Sequence, residues 1–284
     1  MTEAGRLGEF LRARRERLQP QDVGLAVGAG LRRVPGLRRE EVAILAGVST
    51  DYYLRLEQGR DANPSTQVLD ALARALCLDT VATDYLHALA RPAERPDAAV
   101  GDDVVRDATR WLIDSWPLTA AVVHSRHVDV LASNALARRL NPNFRVGVNS
   151  VLSLFTDPSE RVFHADWDGL AARSVALLRS AAQTGARDAR LEALVADGAA
   201  GSAEFRELWD RQDVHRAGDG VHALRHPLVG TLVLSYLRLS VVGTAGQSLF
   251  LYFAEPGSPS AAAMQRLAGA GWDQQGQEPD IPEV

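Results

Sequence analysis

The chain has 284 residues, 46% of them hydrophobic and 24% charged, with a formal net charge of −5. That length suggests two domains of roughly 100–200 residues each, and the composition is ordinary for a soluble globular protein. The sequence contains no lysine, so all 31 basic residues are arginine, which excludes the Walker P-loop, pyridoxal Schiff bases and Ser-x-x-Lys acyl enzymes. Cys77 is the single cysteine, which excludes an internal disulfide and a thiolate zinc cluster. The longest charge-free apolar stretch, Leu239 to Ala254, is interrupted by Ser, Thr, Gln and Gly and is too short to span a bilayer. The arginine-bearing N-terminus has no apolar run of the secretory type. A soluble, cytoplasmic protein is expected.

Charge is unevenly distributed. Residues 1–60 hold 11 arginines against 8 acidic residues, whereas residues 96–284 hold 17 against 23. A basic front and an acidic rear point to two modules with different partners.

In the front module, Leu7, Phe10, Leu11, Arg14 and Leu18 follow helical spacing as far as Gln19-Pro20. A long glycine-bearing connection carries Arg32 and Arg33 to Gly36. The spacing predicts a short helix over 38–46, broken by Gly47. Ser49 then caps a helix to Gln58, which stops at Gly59. Pro64-Ser65 opens a further helix with Val68, Leu69, Leu72, Ala75 and Leu76 on one stripe, and a last helix covers Thr80 to Ala90. Helix, Ala46-Gly47 turn and capped helix make a helix-turn-helix, with Val48 and Leu56 packing inward. The exposed first turn of its second helix offers Ser49, Thr50, Asp51 and Tyr52, with Arg55 one turn on. Arg55 suits a guanine edge and Asp51 a cytosine amine. Arg32, Arg33, Arg38 and Arg39 are placed for phosphates. A helical protein–protein module would use the same turn.

The stretch ALAGVS followed by DYYxRLEQG (Ala43 to Gly59) resembles the helix-turn-helix of Xre (Cro/C1-type) regulators. The preceding RRVPGLRREEVA (Arg32 to Ala43) resembles the actinobacterial subgroup in which that domain is joined to an MmyB-like ligand-binding domain. The resemblance implies base reading at Thr50, Asp51 and Arg55, and a structural role for Glu57.

The rear module follows a stiff linker at 92–97. A helix is expected over 102–115, with strands at 119–124 and 128–132 around a turn at 125–127. Helices follow at 134–140, 167–183, 186–196 and 202–212. Strands close the module at 221–226, 231–239 and 247–254, the first two joined by a turn at 227–230. The fold class is therefore α+β: an all-α head (1–91), then an antiparallel sheet (98–258) with helices over one face and room for an apolar cavity. FRELWDRQDV (205–214), RHPLVGTLVLSY (225–236) and LYFAEPGSPS (251–260) resemble the MmyB-like domain, which is related to the PAS sensor fold. The resemblance covers about nine-tenths of the chain. It implies a small-molecule sensor, a fatty acid as ligand type, and control of secondary metabolism. Leu237 and Val221 stand where the family pattern has an acidic and a basic residue. The tail, 259–284 and above all from Gly269, is expected to be largely disordered.

Candidate ligand contacts are Trp167, Trp209, His215, Arg216, Tyr236 and Arg238. Arg238 facing inward would pair with a ligand carboxylate. Alternation with Leu237 and Leu239 favours solvent instead. The few aromatics favour an aliphatic ligand over flavin or haem. No metal or cofactor is expected, because the histidines have no ligand spacing; His226 before Pro227 organises a turn. Cys77 is expected to pack on an apolar helix face. No catalytic motif is present, since Gly28-x-Gly30 lacks a preceding strand and a third glycine. The expected partners are double-stranded DNA at an inverted repeat, a hydrophobic acid and a second copy of the chain. The alternative is a rear domain that binds protein and no small molecule.

Overall fold

Short polar side chains set the helix ends of the first ninety residues, and the computed structural model shows where they act. It describes residues 3–25, 36–61, 63–90, 104–181, 188–215, 218–244 and 246–269. The front helices are α1 (Glu3–Arg17), α2 (Arg39–Ala46), α3 (Thr50–Glu57), α4 (Thr66–Ala75) and α5 (Thr80–Ala90), with a 3-10 turn at Pro20–Val23. The Oγ of Ser49 accepts from the Tyr52 N–H at 3.2 Å, and that of Ser65 from Val68 at 3.3 Å. Gly47 ends α2 with φ +67°, a left-handed conformation in which glycine is unstrained. Gly8 serves close packing: a Cβ there would lie 2.3 Å from the Glu57 carbonyl oxygen, so α1 and α3 approach backbone to backbone. Phe10, Leu37, Val42, Tyr53, Leu56, Leu72 and Leu86 are buried in one core. Cys77 does not pack on that core. It follows the end of α4 with φ +50° and is exposed, because the left-handed turn swings its side chain outward.

The rear elements are α6 (Asp107–Asp114), β1 (Ala120–His124), β2 (Val130–Ser133), α7 (Ala135–Leu140), α8 (Ser150–Thr156), α9 (Pro158–Phe163), α10 (Trp167–Ala181), α11 (Ala189–Gly201), α12 (Ala203–Asp210), β3 (Gly220–His226), β4 (Gly230–Ser240), β5 (Ser248–Phe253) and α13 (Pro259–Gly269). Three helices had no counterpart in the sequence reading. α8 and α9 are a turn or two long, too short for an apolar stripe, and stand on the caps of Asn149 and Asp157. α13 occupies the start of the expected tail and buries Ala263, Met264 and Leu267.

The five strands form an antiparallel sheet in the order β2-β1-β5-β4-β3. On its inner face Ala120, Val122, Leu224, Leu232 and Leu234 pack with Leu136 and Leu140 of α7 and Met264 and Leu267 of α13. Helices cover more than the one face expected. Ile113 of α6 packs on Ala121, Val123, Leu249 and Leu251 of the outer face. Asn134 joins these parts. Its Oδ1 accepts from Ala121 N–H (3.2 Å) and Ala137 N–H (2.9 Å), and its Nδ2 donates to the carbonyls of Ile113 (3.0 Å) and Thr119 (2.8 Å). His226 Nε2 meets the Arg139 carbonyl at 3.0 Å and its Nδ1 accepts from Leu228 N–H at 3.2 Å, which pins the β3–β4 turn.

Contacts divide the chain into two compact units, 1–96 with 172–216, and 97–171 with 217–284. The middle helices therefore group with the head, not with the sheet that flanks them in sequence. Within that first unit, Arg14 Nη2 donates to the Gln212 carbonyl at 2.9 Å, Arg14 and Arg17 pair with Asp213, and Val214 packs against the head core.

Candidate DNA interface and ligand-binding face

The first turn of α3 starts at its cap, Ser49. Ser49, Thr50 and Asp51 are exposed, and Tyr52 and Arg55 half-buried. Asp51 and Arg55, one turn apart, form an ion pair, and the Arg55 guanidinium lies 5.6 Å from the Tyr52 ring centroid. Three of the expected reading side chains thus form one cluster, in which Asp51 and Tyr52 both touch the Arg55 guanidinium. Arg38 caps α2 through its backbone, its N–H donating to Glu41 at 2.6 Å, and its side chain is exposed. Arg39 is exposed and engaged, with Nε donating to Glu57 Oε2 at 2.7 Å. Arg32 and Arg33 lie outside the described residues.

Glu57 supports this helix from behind. Its carboxylate is 1% exposed and accepts from Arg15 Nε at 2.6 Å as well as from Arg39. Arg15 is itself almost fully buried, and it also donates to the Leu37 carbonyl. Burial opposes the Arg15 charge, but the hydrogen bond and charge of Glu57 outweigh it and raise its pKa above the ordinary arginine value.

The expected ligand contacts do not form one group. Trp167 is buried in the second unit, where its Nε1 donates to the Leu154 carbonyl at 3.0 Å and Arg161 lies 3.8 Å from its ring. Trp209 belongs to the first unit, stacked on Phe205 with the Arg179 guanidinium 3.8 Å from its ring. His215 is exposed in that same unit, its backbone bonded to Ser180. Arg216 is outside the described residues. Tyr236 and Arg238 do share a surface, the inner face of the sheet. Tyr236 lies opposite Tyr252 and 4.5 Å from the His222 ring.

Arg238 reverses the solvent-facing expectation. It is in register with Phe250, its guanidinium 5.5 Å from that ring centroid, and burial lowers its pKa from the ordinary arginine value. The leucines beside it, Leu237 and Leu239, are the exposed ones, at 37% and 48%. Alternation fixes only that neighbours oppose each other. Which set is buried depends on what covers each face.

Sequence reasoning missed the groups beside Arg238. His124 is buried in β1, paired through Nε2 with Ser150 Oγ at 2.9 Å and edge-on to Phe250 at 5.0 Å. Burial, and then the Arg238 charge, pushes the imidazole down to about 3. Period-two counting forward from Val122 was the available signal. On α9, the buried Glu160 accepts from Asn141 and Asn143 at 2.9 and 2.7 Å and pairs with His164 at 2.8 Å. Desolvation opposes its ionisation, but the His164 and asparagine hydrogen bonds prevail and lower its pKa.

Residues 105–267, more than half of the chain, match the family model of the MmyB-like transcription regulator ligand binding domain. The chain belongs to that family. Residues 6–86 match a helix-turn-helix domain, so this MmyB-like protein is a ligand-responsive transcription regulator with a DNA-binding head. No curated protein matches it. No described helix is long and apolar enough to cross a membrane.

Proposed function

We propose that this MmyB-like protein is a cytoplasmic, one-component regulator that binds an inverted-repeat operator as a homodimer, senses a hydrophobic carboxylic acid of the fatty-acid type through its rear domain, and catalyses no reaction. In sequence order the head comprises residues 1–91, the linker 92–97 and the ligand-binding domain 98–258, with α13 packed on the sheet core and 172–216 grouped by contacts with the head. The observation that carries the reading is the Ser49-capped α3, which presents Asp51 in its first turn and Arg55 one turn on, on a helix braced by a buried carboxylate. Helices so presented enter the major groove, and one such module reads few base pairs, so two copies fit a selective operator. Control of secondary metabolism is part of the same reading.

Operator selection from random duplexes, followed by binding with and without ligands extracted from the purified protein, tests it. Recovery of a palindromic site and of a co-purifying apolar acid that changes operator affinity is the expected result. Absence of sequence preference in the full-length protein would refute the DNA half. A second reading, a rear domain that binds protein, has its own support in the exposed Trp111 and Leu112 of α6. Sedimentation that shows only monomer at micromolar concentration, with and without operator, would refute the homodimer.

A further inference from the structure

Two buried polar atoms on one face of the sheet have no hydrogen-bond partner among the described residues: His124 Nδ1 and Ser248 Oγ. Both residues are only 2% exposed. They are direct register partners across β1 and β5, so they lie side by side. Two residues along β5, Phe250 is in register with Arg238 on β4 and with Val122 on β1, which puts the guanidinium on the same face. Among the described residues, Arg238 has its ring contact with Phe250 and makes no ion pair or hydrogen bond. A buried donor without a partner costs free energy comparable to a lost hydrogen bond. Arg238 is half-buried against that ring, so its charge is only partly hydrated.

We infer that Arg238, His124 and Ser248 form the head-group subsite of the ligand-binding face, and that it takes an organic carboxylate whose apolar body lies along Phe250 and Val122. The chemistry converges. Arg238 supplies a charged fork of donors and Ser248 a hydroxyl donor. His124, with Nε2 accepting from Ser150, supplies an N–H at Nδ1. Together they match the lone pairs of one carboxylate. A neutral imidazole suits this role, since it donates without adding charge. An apolar alcohol would leave the guanidinium unmatched, so the face selects acids over alcohols of equal length. The inference rests on the ligand-sensing reading above and adds the residues that hold the acid's head group.

The test uses full-length protein, decanoate and 1-decanol as matched probes, calorimetric titration, and thermal melts of the unliganded protein. Decanoate is expected to bind at least tenfold more tightly than 1-decanol. Arg238→Gln should cost decanoate about 10- to 100-fold and leave 1-decanol unchanged, the loss of one charge-assisted contact. Ser248→Ala should weaken decanoate severalfold while leaving the unliganded melting temperature unchanged or higher, because the hydroxyl it removes has no protein partner. A merely structural serine would lower it. Equal binding of acid and alcohol, or an undiminished acid preference in Arg238→Gln, overturns the subsite and leaves small-molecule sensing intact. If neither probe binds, the subsite also falls, and the sensing reading then stands or falls on the co-purified ligand and its effect on operator binding.

Discussion

Truncating Glu57 should unfold the head more readily than any surface change near α3. In Glu57→Ala, Arg15, whose side chain is 5% exposed, loses its 2.6 Å partner. It keeps the Leu37 carbonyl at 2.9 Å and a peripheral contact with the half-exposed Glu16. Removing one member of a buried pair strands the other charge and costs about 3–5 kcal/mol. Domain stabilities run to about 5–15 kcal/mol, so much of the margin would go. Arg39→Ala is the control. Its side chain is 46% exposed and Glu57 would keep Arg15, so the cost should be under about 1 kcal/mol. Urea unfolding followed by far-ultraviolet circular dichroism, with the slope checked for constancy, measures both. The double variant Arg15→Leu/Glu57→Leu should recover part of the loss, since no lone charge remains. A cost for Glu57→Ala no larger than that for Arg39→Ala would refute the claim that this buried pair braces α3.

On the selected operator, Arg55→Ala should cost about 1–3 kcal/mol and relax one base position, read by anisotropy on single-base variants; unchanged preference would show that α3 is misassigned. Arg38→Ala should weaken binding to all duplexes alike and flatten the salt dependence by about one unit. Because the pKa of Glu160 is lowered in the folded state, its contribution is fully present above the ordinary carboxylate value of about 4.3 and lost as pH falls through the folded value. Wild type should therefore lose more melting temperature between pH 5 and pH 3 than Glu160→Gln does. Asn134→Asp should keep the α7 cap yet cost about 1–3 kcal/mol in urea unfolding, because the Ile113 and Thr119 carbonyls would lose a donor and face a carboxylate.

The helix-turn-helix was legible because its signals are local. Ser49, Ser65, Gly47 and Gly59 each satisfy or redirect backbone groups within a few residues, so cap and breaker positions follow from residue chemistry without knowledge of the rest of the fold. The strands were legible for the same reason, through β-rich runs between turn residues. The helices α8 and α9 were not, being shorter than the period that would betray them. Three other properties depended on tertiary structure. Which face of β4 is buried was settled by the helices that cover the sheet, and this turned Arg238 inward and left Leu237 and Leu239 exposed. The meeting of His124, Ser248 and Arg238, more than a hundred residues apart in sequence at the extreme, was settled by the β1-β5-β4 order. The grouping of residues 172–216 with the head rests on ion pairs and packing around Asp213 and Val214. The sequence determined each local element, since hydrogen-bond capping and backbone preference act within a turn or two. Sheet order and the burial of each face depend on which distant apolar surfaces close against one another, and only the assembled fold decided those.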